Sequence, residues 1–413
     1  MLGSSHSHRK VLAITRIAAF LDSVIELKIL KGARHRLNVQ SLFSPSLFSL
    51  FRALPAMRQL HTIELSAIFL SETYLGCILS SSHLTHLVLY AIQMPKICRL
   101  PPPNPNFRKL TLDSVSWDAV QPLLVHLAAS LEYLEFLGDF GFRPRSQLQL
   151  PYFPSLRELR HQASGNEFVL DELFRVSQVT HLHLFGAFDL SRLAFPKSLQ
   201  YLSTQDLVLI YWKPGPTTLT QLISLSIQWP QEWVMSCNLE LIAFVCDHFP
   251  RITSLHLDIP WSLRNVALVM ARSQHNVRAM EFSIVTRQSL DLQERWRRRQ
   301  VRVLNNYLRN NTLPGPLQSL RLEVVQRFGK LEWDLAQCSR WIDDDVIHPV
   351  TGLGGSDLKS IDVSLVLRND NFEQKRRIWR RWAKLPDGDW RIEGAACDDK
   401  DTNAHRRLLS IGD

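Results

Sequence analysis

Residues 84–89 read Leu-Thr-His-Leu-Val-Leu, with apolar side chains at the first, fourth and sixth places. The fourth and sixth places are two apart, so in an extended strand they share one face while the third, fifth and seventh point to the other. The template returns at Phe107-Leu110-Leu112, at Leu131-Leu134-Phe136, at Leu156-Leu159 with His161 in the sixth place, and at Val179-Leu182-Leu184. First places in this run lie 23, 24, 25 and 23 residues apart. One match in a chain that is 45% hydrophobic carries no information, but a near-constant period does.

Outward from this run, the template appears upstream at Val24-Leu27-Ile29 and Leu60-Ile63-Leu65. Downstream it continues at Leu199-Leu202 with Thr204 in the sixth place, Leu222-Leu225-Ile227, Ile252-Leu255-Leu257, Val277-Met280-Phe282, Leu317-Leu320-Leu322 and Leu358-Ile361-Val363. Several intervals hold helix-length stretches with apolar residues three and four apart, at 118–129, 168–176, 239–248 and 263–273. Strand then helix at a steady period implies an α/β architecture of parallel strands with helices on one side only. No unit can bury its own apolar face, so the units stack into a curved solenoid with strands on the concave face and helices on the convex face. The expected divisions are an N-terminal tail and the start of a capping helix over 1–20, and about 13 irregular repeats over 21–366. A C-terminal capping helix with an edge strand is expected over 367–393 and a disordered tail over 394–413.

The segments LTHLVL (84–89), LEYLEF (131–136), VTHLHL (179–184), ITSLHL (252–257) and LQSLRL (317–322) resemble leucine-rich repeats, whose core is L-x-x-L-x-L. The irregular, helix-rich array is similar to the repeat region of fungal F-box proteins. That resemblance implies a horseshoe-shaped solenoid that captures substrate for a cullin-type ubiquitin ligase, in an intracellular compartment, cytoplasm or nucleus. The regular family carries Asn or Cys at the ninth place, where this chain has Ile68, Ile92, Val115 and other residues, so no asparagine ladder is expected. No F-box is visible in the short stretch ahead of the first repeat at Val24, and the only early Leu-Pro, Leu54-Pro55, is expected in a loop. A cullin-ligase adaptor is therefore expected as a partner only where an F-box lies upstream.

The chain has 413 residues and a formal net charge of +9, basic enough to raise nucleic acid or an anionic membrane as partners. No uncharged apolar run reaches the roughly 18 residues of a spanning helix. The six cysteines include no C-x-x-C pair and read as reduced thiols. Two basic runs stand out, Trp296–Arg302 and Lys375–Trp382. The first reads as the solvated face of an outer helix. The second reads as the capping helix, its tryptophans closing the core. As an alternative, such Arg- and Trp-rich helices would bind nucleic acid or an anionic membrane. The proline-rich stretches at 100–105 and 214–216 read as loops.

No phosphate-binding glycine loop, nucleophile elbow or H-E-x-x-H pair occurs, so no catalytic residue, metal or cofactor is expected and the chain reads as a non-enzyme. His161, at an inward site, reads as a core histidine. The third, fifth and seventh places hold Glu26, Glu64, Asp113, Glu135, Glu158, Asp258, Glu281, Glu323 and Asp362 against Lys28, Lys109, Arg160 and Arg321. This acidic face disfavours nucleic acid, which needs Lys and Arg on phosphates. The same places gather His86, Tyr90, Tyr133, His181, His183, Phe185, Tyr201 and His256. Aromatic anchors of this kind are enriched at protein interfaces. The expected partner-binding residues are thus His86, Tyr90, Tyr133, Glu135, Glu158, His181, His183, Phe185, Tyr201, His256 and Asp258, facing a protein partner.

Overall fold

The structure, a computed structural model, describes residues 23–30, 45–94, 100–102, 104–138, 150–162, 167–185, 193–205, 221–228, 251–260, 277–286, 317–327, 357–368 and 374–398. The chain divides into two compact units, the first running essentially to Leu199 and the second from Gln200 onward.

Seven strands form the sheet of the first unit: β1 (Glu26–Leu30), β2 (Thr62–Ser66), β3 (His86–Tyr90), β4 (Lys109–Asp113), β5 (Tyr133–Leu137), β6 (Glu158–Gln162) and β7 (His181–Leu184). Each pairs in parallel with the next in sequence order. Parallel neighbours need long crossovers, and the described crossovers contain α1 (Pro45–Ala53), α2 (Glu72–Leu79), α3 (Trp117–Leu127) and α4 (Glu167–Arg175). The helices expected at 118–129 and 168–176 are α3 and α4. Those expected at 239–248 and 263–273 lie outside the described residues.

Burial follows the template. From β2 to β7 the fourth-place residues Ile63, Leu87, Leu110, Leu134, Leu159 and Leu182 are all 0% exposed, and so are the sixth-place residues, His161 included. Removing one such Leu from water contributes roughly 2 kcal/mol. Helix α3 is buried along Val120, Leu123, Leu124 and Leu127, while the third-, fifth- and seventh-place side chains stay mostly half-exposed. The helices therefore cover the fourth- and sixth-place side of the sheet and leave the other open. The proline-rich stretch near residue 100 is a loop, pinned where Asn104 Nδ2 donates to Ser81 O (2.6 Å) and Leu84 O (3.0 Å).

Two backbone ladders join the repeats. At the strand entrance, one second-place carbonyl accepts two N–H groups of the following repeat. His61 O takes Thr85 and His86, Thr85 O takes Arg108 and Lys109, Arg108 O takes Glu132 and Tyr133, and Glu132 O takes Arg157 and Glu158, all at 2.8–3.1 Å. At the strand exit, the eighth-place residue turns left-handed: Ala67, Ala91 and Ser114 have φ of 52°, 49° and 51°, and Gly138 has 77°. That turn aims its N–H at the seventh-place carbonyl of the following repeat: Ala67 at Tyr90, Ala91 at Asp113, Ser114 at Leu137 and Gly138 at Gln162. The ninth-place residues Ile68, Ile92 and Val115 are buried. Backbone thus satisfies backbone where an asparagine side chain would otherwise be needed.

In the second unit β8 (Tyr201–Gln205), β9 (Ser224–Gln228), β10 (Ser254–Pro260), β11 (Ala279–Thr286), β12 (Ser319–Arg327) and β13 (Ser360–Arg368) are parallel. The double-acceptor carbonyl recurs at Gln200, Ile223, Thr253, Arg278 and Gln318. The chain then reverses direction. β14 (Gln374–Lys384) pairs antiparallel with β13, and β15 (Trp390–Asp398) pairs antiparallel with β14.

This corrects the capping helix expected within 367–393, since its basic Trp-rich run is a strand. A helix could bury Ile378 and Trp382, but only a strand also satisfies the open N–H and C=O edge of β13. Both side chains are buried, at 2% and 5% exposure, so tryptophan still closes the core. The expected edge strand is β15, and it runs through Asp398, so residues 394–398 belong to the sheet and not to a tail. The run Trp296–Arg302, the stretch 214–216, the N-terminal 1–20 and residues 399–413 lie outside the described residues.

The eighth-place turn makes a direct prediction. A Cβ on Gly138 would sit 2.6 Å from Asp113 Oδ1 and 2.7 Å from Ser114 Oγ at a φ that disfavours side chains. Gly138→Ala should destabilise the first unit by about 1–2 kcal/mol, whereas Ala91→Gly, at φ 49°, should cost less than about 0.5 kcal/mol. Urea unfolding followed by circular dichroism checks both, and equal costs would refute the strained-turn assignment.

Candidate functional site

The open face of the first unit centres on Tyr133. Its hydroxyl donates to Glu135 Oε2 at 2.8 Å, and Thr111 Oγ1 donates to the same oxygen at 3.0 Å. His86 Nε2 lies 3.3 Å from Thr111 Oγ1. Because the one threonine hydrogen goes to Glu135, His86 must carry its proton on Nε2 and donate. The imidazole also stands edge-on to the Tyr133 ring, centroids 6.5 Å apart. Lys109 Nζ and the Arg160 guanidinium lie 5.8 and 5.5 Å from the centre of that ring.

Glu158 extends the network toward β7. Its Oε1 is 3.2 Å from Arg160 Nε and 3.4 Å from His183 Nε2, and His181 Nδ1 is 2.9 Å from Thr180 Oγ1. Toward β1, Lys28 Nζ reaches Glu64 at 2.8 Å and Glu26 at 3.2 Å. Register places Tyr90 beside Asp113, with Phe185 half-buried just beyond the end of β7. Of the expected partner-binding residues, the structure thus joins His86, Tyr133 and Glu135 directly, and Glu158 with His183. Arg160 connects the two groups.

Burial sets the protonation states on this face. It lowers His86, with Lys109 adding to the effect, and it lowers His181. It raises the Tyr133 phenol, which Arg160 opposes and Glu135 reinforces. For Glu158 burial acts upward, but the His183 hydrogen bond and Arg160 outweigh it and hold the carboxyl below its usual range. The result is a prearranged surface on which burial favours neutral His86, His181 and Tyr133 while Glu158 is held ionised.

Tyr201, His256 and Asp258 belong to the second unit. Tyr201 is exposed on β8, His256 Nδ1 lies 3.7 Å from Glu281 Oε2, and the Asp258 side chain is outside the described residues. Arg321 Nε reaches Glu281 at 3.3 Å, and Arg381 grips Asp362 through two bonds of 2.7 and 3.1 Å. Fifth places therefore alternate in sign from β11 to β13, and Arg381 on β14 continues the alternation. Past Tyr201 on β8, third places here are small (Ser224, Ser254, Ala279, Ser319, Ser360), where the first unit has His86, Lys109, Tyr133 and His181. Trp379 reaches over the neighbouring strand where Gly394 leaves room: a Cβ there would stand 2.9 Å from Cη2 of the indole.

Sequence reading left Lys109, Thr111 and Arg160 out of the site, although all three occupy third or fifth places. It missed Trp379 and Arg381 because their run was read as a helix. Among the described residues no group of three His, Cys, Asp or Glu side chains is placed to hold a metal ion. No protein-family model and no curated protein matches this chain.

Two predictions follow from these environments. His161, edge-on to Phe136 at 6.0 Å, is pushed down to about 4 by burial. Its unfolded form takes up a proton near pH 6.5 and the folded form resists, so its contribution is complete above pH 6.5 and falls as pH drops toward 4. His86, His126 and His181 shift the same way. Stability of the first unit should fall by at least about 2 kcal/mol between pH 7.5 and pH 5, and His161→Leu should flatten that slope in urea titrations. A wild-type slope unchanged by the substitution would refute this. In the second unit, Asp362 is buried while Arg381 is half-exposed. Arg381→Leu should cost about 1–2 kcal/mol, and Asp362→Leu added to it should recover part of the loss in a double-mutant cycle.

Proposed function

We propose that this chain is a non-enzymatic protein-interaction scaffold, an irregular leucine-rich-repeat solenoid whose concave strand face captures a protein partner. The observation that carries the reading is the Tyr133 network. An exposed sheet face with aromatic side chains, hydrogen-bonded and charge-paired before any partner arrives, loses little freedom on binding. Its resemblance to the repeats of fungal F-box proteins makes substrate recognition for a ubiquitin ligase the finer form of the proposal. The adaptor link requires an F-box ahead of the repeats.

The competing reading, a basic surface for nucleic acid or anionic membrane, loses its C-terminal helix. Within β14 Ile378 and Trp382 are buried, Trp379 packs on Gly394 and Arg381 is spent on Asp362. No helix among the described residues is long and apolar enough to cross a membrane.

Cross-linking of the full chain in extracts, followed by mass spectrometry, tests the proposal. A Tyr133→Ala, Phe185→Ala variant should lose at least about ninety per cent of specific partner recovery, while Arg391→Ala, on the exposed C-terminal edge, should retain it. Equal recovery from both variants would overturn the reading, with thermal unfolding curves confirming that each variant is folded.

A further inference from the structure

The chemistry of that partner is written on the part of the face around Tyr90. The residue occupies the seventh place of β3, half-buried, beside Asp113 on β4 and diagonal to Glu64 on β2. Glu135, on β5, lies two strands away, roughly 10 Å at the spacing of a sheet. Between these groups the floor is Val88, buried and apolar at the fifth place of β3.

The cations of this face already have partners, and one of them, Lys28, is paired at the margin of this site with Glu64 itself. Lys28 is held by Glu26 and Glu64, Arg160 by Glu158 and the Tyr133 ring, and Lys109 stands over that same ring. The carboxylates are not used up. Glu64 meets Lys28 through Oε2, Glu135 takes both of its hydrogen bonds on Oε2, and Asp113 accepts from Ser114 on Oδ1. Among the described residues the other oxygen of each is left for a ligand. An aromatic ring ringed by negative charge over an apolar floor complements a long cationic side chain, whose methylenes cover the floor while its head meets ring and carboxylates.

We propose that the open face of the first unit docks a partner segment bearing lysine or arginine, the cationic side chain seated against Tyr90 between Glu64, Asp113 and Glu135. This rests on the scaffold reading and specifies its partner. Burial, with Glu64, Glu135 and Asp113 adding to it and Lys28 opposing, raises the Tyr90 phenol, so the ring stays neutral and the hydroxyl remains a donor. A bare metal ion is a poor occupant, because among the described residues no three His, Cys, Asp or Glu side chains are placed to hold one. The whole chain carries +9, so a basic partner is not steered from a distance. Capture depends on the local field, within about one Debye length.

Fluorescence anisotropy with the full chain tests this, using a fluorescein-labelled peptide of alternating glycine and arginine and its glycine–glutamate counterpart. The arginine peptide should bind in preference to the glutamate one. The triple substitution Glu64→Gln, Asp113→Asn, Glu135→Gln should weaken it about tenfold or more, and Tyr90→Leu severalfold. Neutralising three exposed carboxylates of the C-terminal hairpin, Asp387→Asn, Asp389→Asn and Glu393→Gln, should change binding less than about twofold. Should the triple variant fail to fold, Glu64→Gln and Tyr90→Leu carry the test alone. Equal weakening by both triple sets, an unaffected Tyr90→Leu variant, or equal binding of the glutamate peptide would each overturn the proposal. A dimer in light scattering that the face substitutions abolish would give the face to a second copy and overturn it too. If partners lost by the Tyr133 variant survive the Tyr90 and carboxylate substitutions, the cationic reading fails while the scaffold stands. If the Tyr133 variant loses none, the scaffold reading itself fails.

Discussion

One carbonyl, at the second place of most of the described repeats, holds the sheet in register. By accepting two N–H groups from the repeat that follows, it fixes where the next strand begins to within a single residue. A slip of one residue would exchange the faces of a strand, placing Leu134 outward and Tyr133 in the core. The rows of side chains on the open face are rows only because this contact repeats. Burial of the first, fourth and sixth places supplies the driving force, but burial is non-directional and would tolerate a slip by two; the carbonyl would not.

How much of this was legible depends on whether a feature lives in side-chain type or in backbone conformation. The inward leucines were legible, and so were the two polar exceptions, His161 and Thr204, both 0% exposed at sixth places. The eighth-place turn was not. Its residues Ala67, Ala91 and Ser114 carry no mark of left-handed geometry, and among the described eighth places the glycine that would advertise it appears once, at 138. Sequence reading could say that the ninth place lacks asparagine but not what replaces it. The substitute is main-chain hydrogen bonding one residue earlier, which frees the ninth place for Ile and Val.

The C-terminal run shows the opposite failure, where the side-chain signal was present and ambiguous. Ile378 and Trp382 are four apart, which fits one face of a helix, and also an even number apart, which fits one face of a strand. Composition could not decide. The deciding term is the unsatisfied edge of β13, visible only once six parallel strands stand beside one another. The same holds for the site. Tyr133, Glu135 and Glu158 follow from the template, but the bridging by Arg160 and the shared Glu135 oxygen depend on side-chain reach across strands about 4.8 Å apart.

The two units spend their open faces differently. In the first unit the third places are bulky and the network is branched, with Tyr133 touched by His86, Lys109, Arg160 and Glu135 at once. In the second they are small from β9 onward, and from β11 the fifth places form a line of alternating charge that ends at the buried Asp362 and its guanidinium. A line of satisfied opposite charges has little field left to offer a ligand, and each member is tied to its neighbours. A branched network around a ring leaves carboxylate oxygens unused at its margin, as at Glu64, Asp113 and Glu135. By this reasoning the proposed recognition surface falls on the first unit. The alternating line of the second aligns strands, and it ends where β14 turns the sheet antiparallel.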